Sequence, residues 1–86
     1  MNRYIFHSDP SHGWLEVNLQ ELKDLGIAAK ISGYSYVKGD RVFLEEDSDL
    51  TKFMQAKGLH QLPDDTCFVH KDTTPIRTYR RYEGGL

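Results

Sequence analysis

The fold is decided by residues 4–27, which read YIFHSDPSHGWLEVNLQELKDLGI. Within this stretch, residues 4–7 and 14–17 are rich in β-branched and aromatic side chains, and a run of turn-forming residues separates them. That pattern predicts a β-hairpin. A helix is predicted to follow at once, because Asn18 can cap it together with a glutamate three residues later, as in a capping box, and Gly26 can end it.

The second half of the chain repeats this order of elements without repeating the sequence. Residues 34–37 and 41–45 alternate in polarity around a turn that contains a glycine, which predicts a second hairpin. A second helix is expected to end at Gly58, since glycine tolerates the left-handed conformation of a helix end. Residues 67–70 have the composition of a final strand.

These elements predict an α+β two-layer domain: a mostly antiparallel sheet of about five strands with two helices on one face, in the order ββα-ββα-β. The other face of the sheet should carry Phe43 and either Tyr34 or Tyr36, as a second small cluster or as a contact surface. We expect the domain to cover residues 1–75 and residues 76–86 to form a C-terminal arm or tail.

Composition excludes several classes of protein. The chain has 86 residues, 38% of them hydrophobic, and a formal net charge of -2. It has no run of about 18–20 apolar residues that would span a membrane, and its N-terminus lacks the apolar region of a signal peptide. The single cysteine, Cys67, cannot form an internal disulfide and is expected to be a small buried residue. We therefore expect a cytoplasmic protein that holds no cofactor.

Acidic residues are concentrated in the middle of the chain. Residues 40–65 hold seven acidic residues against three basic ones, and four of the seven fall at the predicted junction of a strand and a helix. One interpretation of these four is helix capping and solubility. The other is an acidic patch that engages a basic groove on a partner. The four residues are Glu45, Glu46, Asp47 and Asp49.

The C-terminal arm interleaves guanidinium and phenol groups. Three interpretations stay open: the arm neutralises phosphates and stacks on bases, it lies on an acidic protein surface, or it folds back on its own domain. Because the arginines are few and the rest of the protein is acidic, nucleic acid is the weakest of the three. The residues concerned are Arg77, Tyr79, Arg80, Arg81 and Tyr82.

Two histidines and an aspartate lie close together around the first predicted turn. His7, Asp9 and His12 could ligate a divalent metal and leave one position open for water, as in a metal-dependent hydrolase. The simpler interpretation is a polar turn that begins at the aspartate. Cys67 and His70 point to opposite faces of their predicted strand, so they do not form a nucleophile and base. We assign no catalytic residue.

Several segments resemble short proteins of bacteriophages, plasmids and other mobile elements. The resemblance implies a genomic context and not an activity, so it carries over no catalytic or binding residue. Small accessory proteins of such elements often bind and block a host machine, including restriction and CRISPR systems. The segments that carry the resemblance are YIFHSDP (4–10), HGWLEV (12–17), YSY (34–36), GD (39–40), FLEED (43–47) and PIR (75–77).

The leading hypothesis is a non-enzymatic interaction protein of a phage or mobile element in the cytoplasm of its bacterial host. Its acidic patch would block a nucleic-acid-binding site on a host protein, as an anti-CRISPR inhibitor does. The alternatives are direct nucleic-acid binding through the basic arm and a metal-dependent hydrolase at His7, Asp9 and His12, and a homodimer is left open. The expected contact residues are Glu45, Glu46, Asp47, Asp49, Arg77, Tyr79, Arg80 and Tyr82.

Overall fold

Strands and helices follow one another along the chain in two similar halves. The computed structural model describes residues 4–83, which form six strands, two α-helices and two short 3-10 helices, Ala28–Lys30 and Pro75–Thr78. The α-helices are α1 (Leu19–Asp24) and α2 (Asp49–Lys57). The strands are β1 (Ile5–Ser8), β2 (Gly13–Asn18), β3 (Tyr36–Lys38), β4 (Arg41–Glu45), β5 (Cys67–His70) and β6 (Arg80–Arg81).

The strands of the described residues make one mixed sheet in the order β5-β1-β2-β4-β3-β6. The two hairpins, β1–β2 and β3–β4, lie side by side because β2 also pairs antiparallel with β4. At one edge, β5 runs parallel to β1, with Cys67 opposite Ile5. At the other edge, the two-residue β6 pairs antiparallel with β3, with Arg80 opposite Val37.

The α+β class with two helices is confirmed, whereas the prediction of five strands in a mostly antiparallel sheet is correct only in part. The order ββα-ββα-β holds as far as β5, but β5 pairs in parallel, and β6 adds a sixth strand. A tight turn forces an antiparallel pair, but β5 follows α2 through a long loop and is free to run either way. Arginine has no particular preference for strands, so the sequence does not indicate β6. The two arginines form a strand because they pair with the open edge of β3.

Local sequence sets the ends of α1. The side chain of Asn18 accepts a hydrogen bond from the backbone N–H of Gln20 at 2.8 Å, which confirms the predicted N-cap. The capping box is not formed, because the Glu21 carboxylate instead accepts from the hydroxyl of Tyr4 at 2.6 Å and from Nζ of Lys57 at 2.5 Å. The glutamate therefore ties α1 to the start of β1 and the end of α2.

Alternation along the strands gives the sheet two apolar faces. Both helices pack on one face, where the fully buried Leu22 and Phe53 meet Leu15 and Leu44 of the sheet. We call this the helix face. The opposite face, which we call the second face, carries a smaller buried cluster, in which the half-buried Tyr36 and Tyr79 pack against a core of Trp14, Phe43 and Ile76.

The C-terminal segment, residues 75–83, covers the second face. Its 3-10 helix places Ile76 against the sheet, and the following residues pair with the edge of β3 as β6. The chain then turns to the helix face, where Tyr82 is buried and its hydroxyl donates to the carbonyl of Ala28 at 2.5 Å. The predicted arm thus packs on the sheet as far as Tyr82. Residues 84–86 of that arm and residues 1–3 of the predicted domain lie outside the described residues.

Neither α-helix of residues 4–83 combines the length and the apolar character that a membrane crossing requires.

Candidate functional site

Two recesses flank the C-terminal segment on the second face. The first, which we call the aromatic groove, has a volume of about 450 Å³. The second, which we call the basic cavity, has a volume of about 310 Å³. The aromatic groove is lined by His12, Trp14, Tyr34, Tyr36, Glu45, Asp47, Ser48, Arg77 and Arg81. The basic cavity is lined by His7, Glu16, Lys38, Arg41, Phe43, Val69, Lys71, Thr74, Pro75, Ile76 and Tyr79.

Aromatic rings and guanidinium groups form one wall of the aromatic groove. The indole of Trp14 is 2% exposed, and the guanidinium carbon of Arg77 lies 5.3 Å from its ring centroid. Arg81 lies in the same way 5.5 Å from the ring of Tyr36. No cationic side chain of residues 4–83 lies over the ring of Tyr34, which is 69% exposed. Stacked arginines beside aromatic rings are favourable cation–π arrangements.

Carboxylates form the other side of the aromatic groove. Glu45 is 9% exposed and accepts a hydrogen bond from the hydroxyl of Ser48 at 2.9 Å. Asp47 lines the groove, and Glu46 next to it is also exposed. Neither Glu46 nor Asp47 forms an ion pair with another described residue. Glu46 and Asp47 therefore remain free to attract a cation from outside the chain.

Arg77, in contrast, already has an anionic partner. Its Nε donates to Asp9 at 3.0 Å, and its Nη2 donates to Nδ1 of His12 at 2.9 Å. Asp9 also accepts from the backbone N–H groups of Ser11 and His12, at 2.8 Å each. The Arg77 hydrogen bond first, and these backbone donors next, hold the pKa of Asp9 far below its ordinary value. The pair fastens the C-terminal segment to the first turn.

Asp49 and Tyr82, two of the expected contact residues, are buried and line neither recess, so they do not reach a partner. Asp49 is fully buried and accepts from the hydroxyls of Ser32 and Ser35, at 2.7 and 2.5 Å, and from Nζ of Lys52 at 3.0 Å. Burial disfavours its charge, but these hydrogen bonds outweigh burial and lower its pKa. Tyr82 is 2% exposed, and burial raises the pKa of its hydroxyl. Both residues hold the fold together, so we leave them out of the contact surface.

The structure brings only part of the expected contact set together. Glu45, Asp47 and Arg77 line the aromatic groove, and Glu46 and Arg80 are exposed outside it. Tyr79 lines the basic cavity instead, where its ring centroid lies 5.2 Å from that of Phe43. The sequence reasoning placed Trp14 in a strand without assigning it to a face. Leu15 and Val17 point to the helix face. Because side chains alternate along a strand, this pattern could have indicated that Trp14 points to the second face.

The residues of the metal hypothesis do not converge. His7 donates from Nε2 to Glu16 at 2.7 Å, while Asp9 and His12 both bind Arg77. Within residues 4–83, no group of three His, Cys, Asp or Glu side chains is placed to hold a metal ion. The geometry therefore gives no support to a hydrolase at His7, Asp9 and His12.

The expectation that Cys67 is a small buried residue is wrong. It is exposed and not buried, because β5 is an edge strand whose residues are mostly exposed.

The basic cavity contains a set of residues that the sequence reasoning did not single out. At its floor, the carboxylate of Glu16 accepts from His7 at 2.7 Å and from Nε of Arg41 at 2.9 Å. Burial disfavours the charge of Glu16, but these two donors lower its pKa overall. Lys38 and Lys71 also line the cavity. Glu16 and Arg41 lie on the same face of neighbouring strands, but the strands belong to different hairpins, so alternation within a hairpin could not bring the two residues together.

No protein-family model matches this chain, and searches of curated proteins and of solved structures find no significant match. Any function must therefore be argued from the chemistry of the two recesses themselves. The resemblance to proteins of mobile elements stays a prediction.

Proposed function

We propose that the protein is a non-enzymatic interaction protein that binds a basic segment of another protein in the aromatic groove. The observation that carries the proposal is the composition of this groove. It combines an exposed tyrosine, Tyr34, a tryptophan floor, Trp14, and an arginine, Arg81, with carboxylates that have no cationic partner among the described residues. Tyr, Trp and Arg dominate the energetically important positions of protein interfaces.

The charge of the groove supports a basic partner. Arg77 is neutralised by Asp9, so it adds little net charge to this surface. The carboxylates of Glu45 and Asp47 then outnumber the one remaining guanidinium of the groove, that of Arg81. Opposite charges across an interface steer encounter and select the partner. A segment rich in Lys or Arg therefore fits this surface better than an acidic one.

A basic partner segment also fits the narrower hypothesis from the sequence. Sites that bind nucleic acid are basic, since they neutralise phosphates. A protein that occupies such a site with carboxylates would exclude the nucleic acid, as an anti-CRISPR inhibitor does. Phage or mobile-element origin, a host protein as the partner and a location in the bacterial cytoplasm belong to this narrower proposal.

The test is titration of the isotope-labelled protein with a poly-arginine peptide, followed by nuclear magnetic resonance. We expect saturable shifts at the amides of Tyr34 and Asp47. Reversal of both exposed acids, Glu46→Lys with Asp47→Lys, should weaken binding by about tenfold or more, because attractive rim charges become repulsive. The matched control reverses Asp64 and Asp65, two exposed acids of the loop before β5.

Two outcomes would contradict the proposal. One is an equal loss of affinity in the Asp64→Lys, Asp65→Lys control, which would show a nonspecific charge effect. The other is the absence of saturable shifts in the groove of the unaltered protein. A parallel titration with single-stranded oligonucleotide tests the alternative: shifts centred on Arg80 and lost at high salt would favour direct nucleic-acid binding.

A further inference from the structure

The basic cavity has the size and the apolar wall of a small-molecule site. Its volume of about 310 Å³ lies at the lower end of the range for ligand pockets, about 300–1,000 Å³. Phe43 and Ile76 are almost fully buried beside it, and the ring of Tyr79 lies 5.2 Å from that of Phe43. A flat or branched apolar group would find contact on several sides here.

Cationic side chains line the same cavity and exceed the carboxylates there. Arg41 is paired with Glu16, whose other oxygen binds His7. Lys38 and Lys71 line the cavity too, and neither forms an ion pair with a residue of the described chain. Because Glu16 is already engaged, it does not neutralise the two lysines. The uncompensated charge favours an anion.

Lys38 and Arg41 are held in place before any ligand arrives. Nζ of Lys38 lies 4.8 Å from the centroid of the Tyr79 ring, and the Glu16 carboxylate fixes Arg41 at 2.9 Å. Thr74, another lining residue, is 5% exposed, and its Oγ1 has no hydrogen-bond partner in the described part of the chain. Buried hydroxyl groups without a partner are rare in folded proteins and call for an explanation.

From these contacts we infer that the basic cavity binds a small organic anion, a carboxylate or phosphate ester carried on an aromatic or branched aliphatic group. The apolar group packs against Phe43, Ile76 and Tyr79. The anionic group is bound by Lys38 and Lys71. The basic cavity is separate from the aromatic groove, so this inference does not depend on the proposed function.

The test uses phenyl phosphate, phenylacetate, phenol and inorganic phosphate as probes of the labelled full-length protein. We expect phenyl phosphate or phenylacetate to give saturable shifts at Lys38, Phe43 and Tyr79. Phenol and inorganic phosphate, which each carry only one half of the recognised chemistry, should bind at least about tenfold more weakly. The two anionic probes distinguish a phosphate ester from a carboxylate as the preferred ligand.

Variants separate this site from nonspecific attraction. Lys38→Ala and Lys71→Ala should each weaken the better anionic probe by about tenfold, the size of a charged hydrogen bond. Lys23→Ala, at an exposed lysine of α1 on the helix face, should leave the affinity unchanged. Val69→Trp fills the cavity without removing a charge and should abolish the shifts, while circular dichroism checks that the variant is folded.

Three results would overturn the inference. The first is the lack of saturable binding by both anionic probes. The second is an equal loss of affinity in Lys23→Ala and Lys38→Ala. The third is unchanged binding by folded Val69→Trp.

Discussion

The two faces of the sheet are built from the same strands but are covered in different ways. On the helix face, α1 and α2 bury Leu22 and Phe53 completely against the sheet. On the second face, the cover is the C-terminal segment, and its core is a cluster around Trp14, Phe43 and Ile76. The two helices cover the core side chains of their face, whereas the single C-terminal segment leaves a recess on each side of itself. Charged side chains line both recesses.

This difference separates the source of stability from the candidate binding chemistry. The helix face buries most of the apolar side chains, and burial of apolar surface is the main stabilising term in folding. The second face holds the lysines of the basic cavity and the carboxylates of the aromatic groove, which form no ion pair with any of residues 4–83. We therefore expect substitutions on the helix face to alter stability, and substitutions on the second face to alter binding.

The largest expected effect is on the helix face. Phe53→Ala should lower the free energy of unfolding by about 3–5 kcal/mol, because the fully buried ring leaves a cavity. Ile76→Ala on the second face should cost less, about 2 kcal/mol, since the site lies beside an existing cavity. Urea unfolding of both variants measures the difference. An equal or larger loss in Ile76→Ala would remove the contrast between the faces.

A smaller loss of stability is expected for a substitution of Asp49, the buried carboxylate at the start of α2. Asp49→Asn should lower the free energy of unfolding by about 1.5–3 kcal/mol at neutral pH, because charged hydrogen bonds to Ser32, Ser35 and Lys52 are weakened. The pKa of Asp49 is lower in the folded protein than its ordinary value of 3.8. Its contribution is therefore complete above about pH 4 and is lost as the pH falls through the lowered pKa.

Urea unfolding of the native protein and of Asp49→Asn is measured at several acidic pH values. Asp9 and Glu16 are present in both proteins, so the difference between their free energies of unfolding reports on Asp49 alone. The gap between the two stability curves should narrow toward low pH. A gap that stays constant from neutral pH to strong acid would show that Asp49 does not stabilise the fold through its charge.

The smallest effect is expected where the C-terminal segment meets the first turn. Arg77→Ala removes the pair with Asp9, so the segment should open more often and the amide of Tyr82, which donates to the Ser35 carbonyl at 2.9 Å, should exchange faster with solvent. Arg80→Ala, in the same segment, is the control because Arg80 is exposed and has no ion pair with another described residue. Equal protection of the amide in both variants would show that the ion pair does not hold the segment.

Local patterns in the sequence predicted the hairpins and α1 correctly. Asn18 caps α1 as expected, and the alternation of β4 places Val42 on the helix face and Phe43 on the second face. These features depend on residues close together in the chain, so short-range rules are sufficient to identify them.

Features that depend on residues far apart in the chain could not be predicted from these short-range patterns. Asp49 was expected to lie on the surface as part of an acidic patch. It is buried, because the hydroxyls of Ser32 and Ser35, from another loop, donate hydrogen bonds to its carboxylate. Cys67 was expected to be buried, but its strand is at an edge of the sheet. Neither outcome follows from neighbouring residues, since burial is decided by which elements meet.

By itself, the sequence determined an α+β domain of hairpins and helices, because hydrogen-bonding capacity and side-chain periodicity act over a few residues. Only the tertiary structure decided that β5 runs parallel to β1 and that the C-terminal segment lies on the second face. It also decided that Lys38, Arg41 and Lys71 line one cavity. Such placements follow from packing between distant segments, where apolar burial and pairing of open strand edges select one arrangement among several that the local pattern allows.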